Sequence, residues 1–353
     1  MKRILILVDN LQTGGAGRVA SILANEMVKE YEVHVVVKEG GIRYKIEKNV
    51  HYHVLPYKKI GKLNVILRIF SYARVLNMIK PQVIYSFGYM SKYTTFSLLL
   101  ANKCKAKVIA SERSDPNSVP KSTLMKKVRD FCYERADYLV CQTIQAKEYF
   151  INKLTTRIEV ISNPITPNLP QWNGIDSLDI VAACRLDKQK NLPMLISAFE
   201  MFYKKYKMYN LYIYGDGPLK EELKSLIEKK GLSSKIFLPG ATSQIHKIFS
   251  EAFMFVSSSN HEGMSNSMLE ALAIGVPSVC TDCPVGAPKM FIKNKENGML
   301  VPIDNANEFY LAMDYIASNK DKLKQMSINS MKIREELAPS FIASKWIQII
   351  NKL

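Results

Sequence analysis

Two doubly wound α/β domains in tandem are the fold class predicted by this sequence of 353 residues. Three observations carry the expectation. Short apolar, β-branched runs alternate with longer stretches of helical periodicity, the pattern of βα units around a parallel sheet. At mid-chain PITPNLP (164–170) places three prolines in seven residues, which neither a helix nor a central strand can absorb. The alternation then starts again. The length favours two domains over one, and the 47% hydrophobic content can fill two cores.

In order, the first half offers strands at ILILV (4–8), VHVVV (33–37), VIYSF (83–87), KVIAS (107–111), YLVCQ (138–142) and IEVIS (158–162), with helical patterns at 17–29 and 62–80. The first domain is placed at 1–163 and the linker at 164–170. The second, 171–337, offers DIVAAC (179–184), LYIYG (211–215), IFLPG (236–240), FMFVSSS (253–259), SVCTD (278–282) and GMLVP (298–302). Its helical patterns include 191–207, 218–230 and 265–274. The tail 338–353 reads as a closing amphipathic helix, expected to pack back toward the first domain. Open parallel sheets bind ligands at the carboxyl ends of their strands, so the site is expected in a cleft between the two sheets.

Composition narrows the function. No apolar run has the length of a membrane span, and the apolar stretch Ile4 to Val8 is short for a signal peptide. Six cysteines in this length do not make a disulfide scaffold; the expected compartment is the cytoplasm. The net charge of +17 is lopsided: residues 1–165 hold 27 Lys/Arg against 13 Asp/Glu, the remainder 22 against 19. Between Glu47 and Glu112 there are eleven basic residues and no acid. Such a face is either simply solvated or meets something anionic: lipid, nucleic acid or a phosphorylated acceptor.

Several motifs point elsewhere and are weak. Gly15-Ala16-Gly17-Arg18-Val19-Ala20 fits the G-x-G-x-x-A dinucleotide fingerprint, with Glu39 near the ribose-acid offset. Six residues, Asp9 to Gly14, separate it from the strand, where a dinucleotide fold turns at once. What survives is a glycine-bearing helix start suited to an anion. Cys280 and Cys283 form a lone CxxC, better read as strand core. The five histidines show no ligand spacing and there is no Asp-x-Asp, so neither a metal nor a cofactor is expected.

The second half carries a more specific group. Arg185 and Lys190 follow a strand and approach a helix start, where an anion would lie. GDGP (215–218) marks a tight turn before a helix. HEGMSNSMLE (261–270) places Glu262 and Glu270 with seven residues between them. Ser267 and Glu270 fit a capping box, and Asn266 could also cap. As a glycosidase pair the two carboxylates are poorly spaced, since eight helical residues rise about 12 Å against roughly 5–9.5 Å for such pairs. They are expected to do different jobs, with Gly263 and the amides of Met264 and Ser265 able to hold a phosphate between them.

Together, Arg185 with Lys190, GDGP, Glu-x7-Glu and ALAIGVPSVCTDCPVG…NGMLVP resemble glycosyltransferase family 4, most specifically over 179–303. The TDCPVG form and SERSDP (111–116) resemble its bacterial surface-polysaccharide branch. The resemblance implies a GT-B fold and a retaining, metal-independent transfer of a hexose or N-acetylhexosamine from a nucleotide sugar, UDP-linked, with GDP-mannose the alternative donor. It implies Glu262 at the donor sugar, Glu270 at the ribose hydroxyls, Arg185 and Lys190 on the diphosphate, and Gly15 closing over the donor. Many members carry a histidine where this chain has Ser111-Glu112-Arg113, and Glu112 is the expected sugar or acceptor contact. The resemblance further implies a glycan acceptor, on an undecaprenyl diphosphate carrier. With it goes peripheral attachment to the anionic inner face of the plasma membrane, for which KKIGKLNVILRIFSYARVLNMIK (58–80), six basic residues and no acid, is the candidate. Outside the class, an NAD-dependent oxidoreductase would rest on GAGRVA and Glu39. A nucleic-acid binder would rest on charge alone, and no nucleic-acid partner is expected.

Overall fold

The computed structural model describes residues 1–12, 14–55, 64–87 and 105–353, with the side chains of 64–69 left aside. The chain divides into two compact units, Met1–Pro164 with Leu337–Leu353, and Ile165–Glu336.

The first unit is built on a seven-stranded parallel sheet: β1 (Arg3–Val8), β2 (Glu32–Val37), β3 (His51–Val54), β4 (Val83–Ser86), β5 (Lys107–Glu112), β6 (Tyr138–Cys141) and β7 (Arg157–Val160), ordered β3-β2-β1-β4-β5-β6-β7. Central strands read as unbroken apolar runs because both faces are covered; Ile4, Leu5, Ile6 and Leu7 are all fully buried. The edge strand β3, HYHV, is short and polar, so no apolar run announces it in the sequence. The C-terminal helix Pro339–Asn351 belongs to this unit: Trp346 is buried against Tyr85 and Phe87, ring centroids 5.2 Å away in each case, and Tyr85 Oη donates to its carbonyl at 3.3 Å.

The second unit has a six-stranded parallel sheet, β8 (Asp179–Ala183), β9 (Asn210–Tyr214), β10 (Ile236–Gly240), β11 (Met254–Ser257), β12 (Ser278–Thr281) and β13 (Met299–Val301), ordered β10-β9-β8-β11-β12-β13. Its core is lined by Leu195, Phe199 and Phe202 of the Leu192–Lys205 helix, with Phe309 and Met313 of the Ala306–Ser318 helix. The proline-rich 164–170 stretch does not hang free between the units. The division falls at Pro164, Ile165 and Leu169 are buried, and Arg334 grips the stretch, donating from Nη2 to Pro170 O at 2.5 Å. Cys280 is buried in β12, and burial pushes its thiol well up; Cys280 and Cys283 are both free.

Candidate active site

The second sheet reverses its strand order between β8 and β11, and the loops leaving those two carboxyl ends adjoin there. In open α/β sheets this switch point is where ligands bind. The first loop is shaped locally. Asp187 caps the single 3₁₀ turn Lys188–Lys190 by accepting from Gln189 N at 3.1 Å, and Asn191 at φ 45° redirects the chain into the following helix. The second loop is tied to it through backbone atoms. Asn260 N donates to Gln189 O at 2.9 Å and Ser258 Oγ to Lys190 O at 2.7 Å, while Thr281 Oγ1, at the end of β12, holds Ser259 O at 2.6 Å.

Beneath the first loop lies the GDGP turn, and here the glycines are a packing requirement. A Cβ on Gly215, whose φ is +132°, would stand 1.8 Å from Cys184 O; one on Gly217 would stand 2.4 Å from Leu186 O. Leu186 N donates to Asp216 O at 3.0 Å. The turn therefore supports the segment that carries Arg185 and Lys190.

On this frame Lys190 Nζ donates to Glu262 Oε1. Ser259 Oγ reaches the same oxygen at 2.9 Å, and Gln189 Nε2 reaches Oε2 at 3.2 Å and His261 O at 2.7 Å. Three of the roughly four acceptor sites of the carboxylate are thus taken. Both members of the pair are largely buried. Burial opposes the charge on Lys190, but the adjacent Glu262 carboxylate, Cys184 and Asp187 together outweigh it and hold the ammonium above the usual lysine pKa. Arg185 leaves the same strand but is 73% exposed, with Nη2 2.7 Å from Asp187 Oδ2. A recess beside the pair is lined by Ala182, Cys184, Lys190, Ser257 and Ser258.

The two glutamates of the Glu-x7-Glu stretch have separate surroundings. Gly263 and Met264 are buried, and the helix Asn266–Ile274 is capped by Ser265, whose Oγ accepts from Met268 N at 3.4 Å. The capping box expected from Ser267 does not form, because the helix begins one residue before it. Glu270 consequently lies in the second turn and is 2% exposed. Its Oε1 accepts from Thr166 Oγ1 at 2.6 Å, while His246 Nε2 lies 3.0 Å from Oε2 at an angle that makes no hydrogen bond. A ribose could reach this carboxylate only if one of those neighbours yielded. Ser265→Ala is expected to lower the stability of the second unit by about 1 kcal/mol, read as a shift in its urea midpoint.

The first unit also reverses strand order, between β1 and β4. Gly15 opens the Gly15–Met27 helix after β1, behind Gly14 at φ 84°. Glu112, the expected sugar or acceptor contact, ends β5. The side chain is 6% exposed and turned into the protein. Oε1 accepts from Arg113 N at 2.9 Å and Ser114 N at 3.0 Å, Oε2 from Tyr133 Oη at 3.2 Å, with Arg129 Nη1 4.0 Å away. Burial raises its pKa to about 7 despite these partners. Arg113, next in the chain, is partly exposed, held by Asn163 Oδ1 at 2.7 Å and over the Phe87 ring at 5.2 Å.

Of the 58–80 stretch, residues 58–63 and the side chains of 64–69 lie outside the described residues. In the remainder Tyr72, Leu76 and Ile79 are buried, while Phe70 and Met78 are exposed. No helix among the described residues is long and apolar enough to cross a membrane. Spacing in the sequence singled out Lys190 and Glu262 but not Gln189, Ser259 or Thr166, which donate to the two carboxylates. Nothing in their residue type or interval marks them.

The architecture is that of GT-B glycosyltransferases: two parallel sheets clothed in helices, each with a switch point. The chain belongs to glycosyltransferase family 4, since two family models between them cover nearly all of it, "Glycosyltransferase Family 4" over residues 13–169 and "Glycosyl transferases group 1" over 173–333. It is similar to an N-acetylgalactosamine-N,N'-diacetylbacillosaminyl-diphospho-undecaprenol 4-alpha-N-acetylgalactosaminyltransferase of Campylobacter jejuni, 26% identical over 95% of both chains. It is also similar to the amylovoran biosynthesis glycosyltransferase AmsD of Erwinia amylovora, 23% identical over 99% of this chain and 100% of that one. Among solved structures, TarM of S. aureus, crystallised with UDP, Fondaparinux and alpha-GlcNAc-glycerol, superposes with a TM-score of 0.85 at 15% identity over 99% and 100% of the two chains. HepE of Anabaena with UDP and glucose superposes at 0.85 and 16%, over the whole of both.

Proposed function

We propose that this glycosyltransferase moves a hexose or N-acetylhexosamine from a UDP-sugar to a lipid-linked glycan, with retention and without metal, in bacterial surface-polysaccharide synthesis. The observation that carries the reading is the buried Lys190–Glu262 pair, with Arg185 beside it, at the β8/β11 switch point. An ammonium has three donors, and Glu262 takes one. The others can meet the diphosphate, where UDP departure concentrates negative charge and preorganised cations act most strongly. Glu262 positions Lys190 and keeps about one acceptor site for a sugar hydroxyl. Gly263, Met264 and Ser265 approach the donor at the helix start. Glu270 takes the ribose by exchanging the Thr166 hydroxyl for a ribose hydroxyl. Engagement of the Glu262 carboxylate by Lys190, Ser259 and Gln189 favours same-face attack over a covalent intermediate on it. The acceptor oxygen then forms the new bond as the anomeric carbon–oxygen bond breaks, and the leaving phosphate takes the acceptor's proton.

The relative that acts on a diphospho-undecaprenol substrate supports a lipid-linked acceptor, and the UDP-bound neighbours support UDP over GDP. Peripheral attachment at the cytoplasmic face of an anionic membrane is part of the proposal. Besides the charge of the first half, the Thr123–Glu134 helix exposes Leu124 (69%) and Phe131 (57%) beside Lys121 and Lys127, an apolar-and-basic face of the kind that seats on headgroups.

Calorimetry with UDP, GDP and NAD in the presence of EDTA tests the donor site. Saturable UDP binding is expected in wild type, weakened at least tenfold by Glu270→Ala. GDP binding in its place would move the reading to a mannosyl donor. NAD binding alone would return weight to GAGRVA and Glu39, which is 55% exposed and paired with Lys38.

A further inference from the structure

Three of the chain's five histidines meet at the edge of the first sheet. Parallel pairing sets His34 opposite His51, and Val36 opposite His53. Residues two apart on a strand share a face, so Glu32 and His34 of β2 stand beside His51 and His53 of β3. The His34 ring stacks on those of His51 and His53 with centroids 4.6 and 5.3 Å away. His34 Nε2 lies 3.0 Å from Glu32 Oε1, and His34 Nδ1 lies 3.0 Å from His53 Nε2. One ligand atom from each of Glu32, His34 and His51 falls within 4.8 Å of the other two. Glu32 and His51 are the first residues of their strands, so the cluster sits at the amino-terminal end of the sheet. Gly15 and Arg113 follow the carboxyl ends of β1 and β5.

We propose that Glu32, His34 and His51 bind a divalent transition metal of the Zn²⁺ kind, with His53 as outer partner of His34. Two imidazoles and a carboxylate, with a fourth position left for water, are a recurrent zinc donor set. Ligand atoms around tetrahedral zinc lie roughly 3.3 Å apart at the usual bond lengths. The Glu32–His34 edge is already there, and rotation of the exposed His51 ring closes the remainder. Metal on Nε2 of His34 requires the proton on Nδ1, where His53 Nε2 stands ready to accept it. This is the arrangement that orients metal-bound imidazoles.

The protonation states agree with that geometry. Burial lowers the pKa of His34 and of His53, keeping the rings neutral, and the hydrogen bond from His34 lowers that of Glu32. Deprotonated ligands are what a metal needs. Arg3, paired with Glu32 across β1, adds opposing charge and weakens the site relative to a fully enclosed one. Bound there, the metal would pin the short edge strand β3 to β2. A chain of hydrogen bonds from His53 through His34 to the Glu32 carboxylate would satisfy the same distances without metal, and experiment separates the two.

The test is titration of chelator-treated full-length protein with Zn²⁺ by calorimetry, and with Co²⁺ by visible absorption. About one saturable equivalent is expected in wild type, with tetrahedral Co²⁺ bands and a Zn²⁺-dependent rise in the melting temperature of the first unit. His51→Ala and Glu32→Gln, both at partly exposed positions, should lose all three readouts, and His53→Ala should weaken binding about 10–100-fold. Absence of saturable binding in folded wild type overturns the proposal. So does undiminished binding in both His51→Ala and Glu32→Gln, which would place the metal elsewhere.

Discussion

Lys190→Ala is expected to lower turnover about 10²–10³-fold, the usual effect of deleting one preorganised donor to a developing oxyanion. The size follows from where the ammonium sits. It is held by Glu262, raised in pKa and largely shielded from water, so it meets the leaving phosphate without reorganising. Saturating donor should not restore the rate, because the lost interaction strengthens as the bond breaks. The same change strips Glu262 of its counter-charge, and breaking a buried pair typically costs roughly 3–5 kcal/mol. Stability and chemistry must therefore be read separately. The Lys190→Met/Glu262→Gln double variant should recover most of the stability and none of the turnover. Arg185→Ala gives the converse control: exposed and paired only to Asp187 at 2.7 Å, it should change stability by about 0–1 kcal/mol while slowing turnover by two orders of magnitude or more. Near-normal turnover in folded Lys190→Ala would remove the diphosphate role from this residue.

How far the sequence disclosed this site depends on whether a residue's role is local. The placement of Arg185, Lys190 and Glu262 at one sheet edge could be read because strand end, loop and helix start are consecutive in the chain, and parallel sheets gather such loops there. The strands of both sheets were legible for the same reason: a strand covered on two faces must be an apolar run. β3 was not, because HYHV sits at an edge where polar residues are tolerated. With it went the histidine cluster, which exists only through the register of β2 against β3. Ser265 displaced Ser267 as the cap because the loop from β11 delivers the chain to the helix earlier than spacing implied. For Glu112, position after a strand says where the residue lies but not which way its carboxylate turns, and its inward hydrogen bonds could not be read.

The second large effect belongs to that carboxylate. Glu112→Ala leaves the Arg113 and Ser114 amides and the Tyr133 hydroxyl without their acceptor, and losing partners for three such groups should destabilise the first unit by about 3 kcal/mol or more. Arg129 keeps Pro116 O and Val119 O, each at 2.9 Å, and so adds little to the loss. Glu112→Gln retains an acceptor and a similar shape but cannot ionise, and it isolates the pH dependence. Wild type holds the proton on Glu112 up to about pH 7 when folded, whereas the unfolded chain releases it near the ordinary value of 4.5. The stability this provides is fully present below about 4.5 and is lost as pH rises through about 7. At roughly 1.4 kcal/mol per pH unit the loss is about 3 kcal/mol, and it should be missing in Glu112→Gln. His34 and His53, whose pKa values are lowered, slope the other way in this window, so the quantity to compare is wild type minus variant. The two tryptophans make the measurement clean, since Trp346 lies in the first unit and Trp172 in the second. In a Trp172→Phe background, urea unfolding followed by fluorescence reports the first unit alone. Equal pH slopes with and without Glu112 would show that it stays ionised in the fold, and that Arg129 and the two backbone amides outweigh its burial. A difference of the expected sign would establish Glu112 as a buried, proton-holding support for the loop that presents Arg113, and would move the search for a sugar-facing group after β5 to that arginine.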